Sequence, residues 1–114
     1  MRQLNDNIIP RQTAATITSA AIPALNLFNC SAQITSTGAG AGTLKLQASN
    51  DIAGMDGNPG PPVNFSDIPS ASVAESGAGA FLIPKLDLCY QWIRVVYTNT
   101  GTGTISVVVK ALGD

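Results

Sequence analysis

The stretch Leu86–Ala111, LDLCYQWIRVVYTNTGTGTISVVVKA, decides the fold class. Two runs dense in β-branched and aromatic residues, Cys89–Thr98 and Thr104–Ala111, flank the turn sequence Asn99-Thr100-Gly101-Thr102-Gly103. Glycine there supplies the positive backbone angles a hairpin loop needs, so a hairpin is expected. Strand alternation puts Ile93, Val95 and Tyr97 on one face of the first run, with Tyr90, Trp92, Arg94 and Val96 on the other. In the second run Ile105, Val107, Val109 and Ala111 oppose Ser106, Val108 and Lys110. Both faces of the first run are largely apolar, which predicts a central strand packed on two sides.

Working outward, Leu27–Thr37 alternates Phe28, Cys30, Ala32 and Ile34 inward with Asn29, Ser31, Gln33 and Thr35 outward. A GAGAG loop leads to Thr43–Ser49, where Leu44, Leu46 and Ala48 alternate with Lys45, Gln47 and Ser49, so a second hairpin is expected. Thr13–Ile22 is small and β-prone, and its threonines and the following Pro23 favour a strand over a short helix. Residues 50–62, NDIAGMDGNPGPP, form a turn-rich surface loop. Val63-Asn64-Phe65 is a short strand candidate; a turn near Pro69, a strand at Ala71–Glu75 and another at Ala80–Ile83, stopped by Pro84, follow. Seven or eight short strands without helical apolar spacing predict an all-β chain, a single antiparallel β-sandwich of jelly-roll topology over residues 13–114. The GAGAG, SGAGA and TGTG segments are unequally spaced and are turn chemistry, not a repeat. Residues 1–12 show no clean period and read as an extended N-terminal arm. Its Leu4, Ile8, Ile9 and Arg11 have two uses of equal weight. They cap the domain's own core as an edge strand, or they clasp a neighbouring subunit.

At 114 residues the chain has the size of one domain, with an expected folded surface of roughly 5,900 Å². Charged residues make up only 11%, less than half the usual share, which predicts that much of the surface faces other protein. A net charge of -1 gives no electrostatic case for nucleic acid or for an anionic membrane. No apolar run is long enough to span a bilayer, and the first residues lack the apolar segment of a secretory signal, so no export by that route is expected. Cys30 and Cys89 each share a face with apolar residues, which predicts two buried free thiols, with a disulfide as the lesser alternative.

Chemistry is sparse. Histidine is absent, which removes the commonest general base and the Ser-His-Asp and Cys-His nucleophiles. The glycine-rich loops lack the lysine and following helix of a phosphate cradle. The acidic residues sit mostly in loops and turns, where solvated carboxylates are the default. No enzymatic activity, cofactor or metal is expected. Asn50, Asp51, Asp56 and Asn58 gather hard oxygen side chains in one loop, the kind calcium takes, but Asn, Asp and Gly also serve any tight turn. The turn is the preferred reading, and these four residues remain a candidate ligand or partner surface. Trp92 and Arg94 share a face, either as an aromatic-plus-cation contact or, preferred, with Trp92 in the core and Arg94 paired to Asp67 or Asp87.

The order Leu44-Lys45-Leu46-Gln47-Ala48-Ser49-Asn50-Asp51, then Val63-Asn64-Phe65-Ser66-Asp67-Ile68, then Tyr90-Gln91-Trp92-Ile93-Arg94-Val95-Val96-Tyr97 resembles small virion proteins of tailed bacteriophages. More distantly it is similar to discoidin-like carbohydrate-binding jelly rolls. In both, a strand ending S-N-D or S-x-D precedes a short N/W-x-x-I segment and a later Y-x-W/Y-I/V-R strand. The resemblance spans roughly residues 43–111. It implies a β-sandwich on a virus particle, most like the decoration (cement) proteins that staple capsid subunits together. The implied partner is the major capsid protein, with many copies or a homo-oligomer on the capsid surface of the virion, after synthesis in the host cytoplasm. The alternative is a tail, fibre or baseplate module that binds host carbohydrate or joins tail proteins. For the glycan reading, Phe65 stands where tryptophan is common, and the loops lack an aromatic-plus-arginine cluster.

Overall fold

The computed structural model describes residues 3–13, 16–24, 27–38, 41–51, 62–101 and 103–113, and within residues 3–13 the side chain of Ile9 alone. Nine strands follow in order: β1 (Gln3–Thr13), β2 (Ile17–Thr18), β3 (Ile22–Pro23), β4 (Leu27–Thr37), β5 (Ala41–Ser49), β6 (Ser66–Ser76), β7 (Gly79–Asp87), β8 (Trp92–Asn99) and β9 (Thr104–Gly113). Among the described residues there is no helix.

Every pairing is antiparallel, in two sheets of order β1-β9-β4-β7 and β2-β8-β5-β6, with β3 also on β8. The short strands β2 and β3 act as one interrupted edge, where Ser19 donates its N–H to Val95 O (2.8 Å) and its Oγ accepts the Val95 N–H (2.9 Å). Counted that way the described residues form eight strands, and the chain changes sheet at every connection but one, β5 to β6. That winding is a jelly roll.

Alternation sorts the faces. Ile105, Val107, Val109 and Ala111 of β9 and Cys30, Ala32 and Ile34 of β4 are buried against Ile93, Val95 and Tyr97 of β8 and Leu44, Leu46 and Ala48 of β5. The accessible surface, 6102 Å², matches what a single packed domain of this mass should expose.

Neither expected hairpin exists. β8 pairs with β2, β3 and β5, whereas β9 pairs with β1 and β4, so the chain changes sheet between Asn99 and Thr104. β4 and β5 are parted the same way. Each arch lets both of its strands turn an apolar face into the same core, where a hairpin would lay them side by side in one sheet. The links that follow β4, β6 and β8 start from one pole, where the described glycines Gly38, Gly77 and Gly103 lie. Crossing about 10 Å between sheets within a few residues leaves little room there. Gly103 has φ 107°, and a Cβ on it would collide with the carbonyl oxygen of Thr37.

The strand interruptions are just as informative. Pro10, Pro23, Pro69 and Pro84 fall in β1, β3, β6 and β7, the edge strands, and the central strands β4, β5, β8 and β9 contain no proline. Pairing slips beside three of them: between Ile9 and Gln12 on β1, between Asp67 and Ser72 on β6, and between Ile83 and Leu86 on β7. An edge strand tolerates a residue without an N–H, and a bulge absorbs it. Hence β7 runs on through Pro84, and the turn foreseen at Pro69 is a bulge inside β6, with Ser70 at φ 63°. Val63-Asn64-Phe65 is not a strand; β6 begins at Ser66. A slip between Leu27 and Asn29 on β4 buries Leu27 and leaves Phe28 58% exposed, opposite to its expected place.

Gly103→Ala should cost about 2 to 5 kcal/mol, the left-handed strain plus overpacking. Gly77, at φ 79° with open space around it, should cost only about 1 to 2 kcal/mol on the same change. Urea unfolding measures both, and equal losses would contradict the tight crossing.

Candidate functional site

The stretch expected as an arm is β1, the rim of the β1-β9-β4-β7 sheet. The backbone of Leu4 lies opposite Ala111, and Ile9 lies opposite Val107 with its side chain 2% exposed, committed to the chain's own core. Of Leu4, Ile8 and Arg11 only the backbone is described.

In the turn-rich loop, Asp56 and Asn58 lie outside the described residues. Asp51 anchors the loop's base. Its Oδ2 accepts the backbone N–H groups of Val63 (2.8 Å) and Asn64 (2.9 Å), and the Asn64 side-chain amide donates to Oδ1 (3.1 Å). Those bonds, the Asn64 backbone first, hold the Asp51 carboxyl below its ordinary value. Asn50 Oδ1 accepts the Gln91 N–H (3.0 Å), which ties the same base to the β7–β8 link. Asn50 and Asp51 thus spend their side-chain oxygens on long-range bonds to backbone N–H groups. Among the described residues no three His, Cys, Asp or Glu side chains gather to hold a metal ion.

Trp92 and Arg94 do share an outward face, on β8, but neither takes its expected place. Trp92 is half-buried beneath the loop base and donates its indole N–H to Asp51 O (3.1 Å). Among the described residues Arg94 reaches no carboxylate directly. Its Nε–H goes to Gln47 Oε1 (2.8 Å), and its guanidinium lies 4.0 Å from the Phe65 ring centroid. Gln47 Nε2 in turn donates to Asp67 Oδ1 (2.8 Å), and Lys45 Nζ meets Asp67 Oδ2 at 3.2 Å. The Gln47 bond, then Lys45, holds the Asp67 carboxyl low as well. The register of β5 on β8, which sets Gln47 against Arg94, creates this row. Sequence alternation puts both residues on outer faces, but only the pairing brings them together.

One acid is buried. Glu75, 3% exposed, accepts the Tyr97 hydroxyl on Oε1 (2.8 Å), and its Oε2 meets no donor among the described residues. Burial, with Glu75 beside it, pushes the Tyr97 phenol well above the usual tyrosine range.

The outer face of β1-β9-β4-β7 is different in kind. Its rows pair Thr35 with Ser106, Gln33 with Val108 and with Leu82, Ser31 with Lys110, and Asn29 with Leu112. Leu82 is 55% exposed, and Val108 and Leu112 are 37% exposed. A shallow hollow of about 260 Å³ lies between Ser31, Gln33, Leu82, Val108 and Lys110. Among the described side chains, the charges here are Lys110 and, at the β7 rim, Lys85 and Asp87.

The cysteines are unpaired. Cys30 is buried as expected, but Cys89 is exposed, because it falls in the link before β8 and not within the strand.

No family model matches the sequence, and no curated protein matches it. Solved structures do share the fold. That of PirA has a TM-score of 0.53 and 16% identity, over 94% of this chain and 92% of that one. That of the SPBc2 prophage-derived protein YomS has a TM-score of 0.53 and 10% identity, over 96% of this chain and 93% of that one. At such identities the likeness is one of fold.

A carboxyl held low in the folded state contributes stability that is complete above its unfolded value of 3.8 and is lost as pH falls through its folded value. The Val63 and Asn64 amide resonances should therefore titrate with a midpoint below 3.8, and Asp51→Asn should abolish that transition. A midpoint at 3.8 or above would contradict the anchoring. Burial also pushes the Cys30 thiol up to about 11. A thiol reagent should accordingly find one reactive group, Cys89, in the folded protein, and the second only in denaturant.

Proposed function

We propose that this chain is a structural protein of a bacteriophage particle, a decoration protein that binds the outside of the capsid and stabilises its lattice. The observation that carries the proposal is the outer face of β4 and β9, which presents Asn29, Ser31, Gln33, Thr35 and Ser106 with exposed Val108 and Leu112, beside Leu82 of β7 and a single charge, Lys110. Neutral and apolar positions of this kind bury against protein at little cost in desolvated charge. β1 forms the rim of this same sheet, so the Leu4, Ile8 and Arg11 segment borders the proposed contact. The fold shared with a prophage-derived protein over nearly the full length of both chains supports the phage setting.

In this role the chain does no catalysis. Its partner is the major capsid protein, and it acts in many copies on the virion surface. Modest affinity per copy becomes durable attachment where neighbouring copies also touch. The loop carrying Asn50, Asp51, Asp56 and Asn58 is a second candidate contact.

Heads stripped of the chain by mild denaturant and mixed with it again should rebind a fixed number of copies and withstand a higher temperature before rupture. Val108→Glu, which puts a charge at the centre of the face, should weaken rebinding roughly 10- to 100-fold with the fold intact. Sedimentation with tails, or with no part of the particle, would sink the proposal.

A further inference from the structure

The opposite face of the sandwich holds an arginine that is fixed in place and only partly used. Arg94 stands on the central strand β8, its guanidinium over the Phe65 ring (4.0 Å) and its Nε–H bound to Gln47 (2.8 Å). Gln47 is held by Asp67 (2.8 Å), and Asp67 by Lys45 (3.2 Å). This row orders the arginine, and among the described residues no carboxylate pairs with it directly. The terminal Nη1 and Nη2 groups donate to nothing among the described residues. A guanidinium has five N–H donors, so four remain, in the planar fork that matches a carboxylate. Since the fork is already ordered by packing, binding loses little side-chain entropy.

The surroundings narrow the ligand. Trp92, the next outward residue on β8, and Phe65 supply half-buried aromatic surface beside the fork. Asp67, half-exposed and joined to Arg94 through Gln47, keeps spare acceptor lone pairs suited to hydroxyl donors. The same acid repels a run of negative charges, so an acidic peptide fits poorly. One carboxylate with hydroxyls around it fits well.

We propose that the outer face of β2-β8-β5-β6 binds a sugar acid, a uronic or sialic acid unit of a glycan, with its carboxylate on Arg94 Nη1 and Nη2 and its hydroxyls toward Asp67. The site uses the face opposite the proposed docking surface, so it stands or falls separately from the capsid reading.

Nitrogen–proton spectra of the full chain titrated with sodium glucuronate test it. Trp92 is the only tryptophan, so its indole N–H is a ready reporter beside the Arg94 Nε–H. Both signals should move saturably, with half-saturation on the order of 1 mM for a monosaccharide. Glucose should leave them in place, and acetate and triglutamate should bind at least about tenfold more weakly. Arg94→Lys keeps the charge, removes the fork and should weaken glucuronate binding about tenfold or more, with backbone spectra confirming the fold. Phe65→Leu, which removes the platform beneath the fork, should weaken it by a smaller factor. Absence of any shift about tenfold above the expected half-saturation would falsify the site. Equal response to glucose would remove Arg94 as the reader, and triglutamate or acetate binding as tightly as glucuronate would overturn the sugar assignment.

Discussion

Everything in this chain depends on keeping one surface dry, the plane where β8 and β5 face β9 and β4. Ile34, Leu44, Leu46, Ile93, Val95, Val107 and Val109 are fully buried there, each contributing about 1.5 to 3 kcal/mol relative to exposure. Tyr97 is the largest side chain on that plane, and its hydroxyl needs a partner inside, which Glu75 provides. The arrangement brings its own cost, a buried carboxylate with one oxygen unmatched among the described residues. Four strands without proline can surround this plane only if the chain changes sheet between them. The glycine-rich pole follows from that requirement.

The two outer faces then diverge because they carry different side chains on the same scaffold. On β9 and β4 the outward positions are neutral or apolar apart from Lys110, and among the described residues no side-chain hydrogen-bonded row links the strands beyond the Thr37–Thr104 hydroxyl pair at 2.6 Å. On β8 and β5 the outward positions include Trp92, Arg94, Lys45 and Gln47; the register sets Gln47 against Arg94, with Phe65 against the guanidinium and Asp67 of β6 bridging Gln47 and Lys45. One face suits broad contact with protein, the other a defined small ligand.

Much of the fold was legible. The inward and outward sets of β5 and β9, and most of β4, follow from a period of two, and the absence of helical spacing settles the class. Pairing was not legible, because alternation describes each strand's own faces and says nothing of its neighbour. A five-residue glycine loop serves a hairpin and an arch equally well. Proline was the unused signal, since Pro10, Pro23, Pro69 and Pro84 mark the four edges and leave β4, β5, β8 and β9 as the centre. The Arg94 row stayed hidden for the same reason, because Gln47 and Arg94 are distant in sequence and meet only through the β5–β8 register. Asp51 was visible as a hard oxygen, but its bonds to Val63 and Asn64 close a loop that composition alone describes only as irregular.

The proline-broken edges also govern how such molecules behave when crowded. Two copies meeting rim to rim find no long unbroken ladder of free amides and carbonyls to share, so neither can template the other into a continuous sheet. Edges interrupted in this way are poor templates for the growth of a continuous intermolecular sheet.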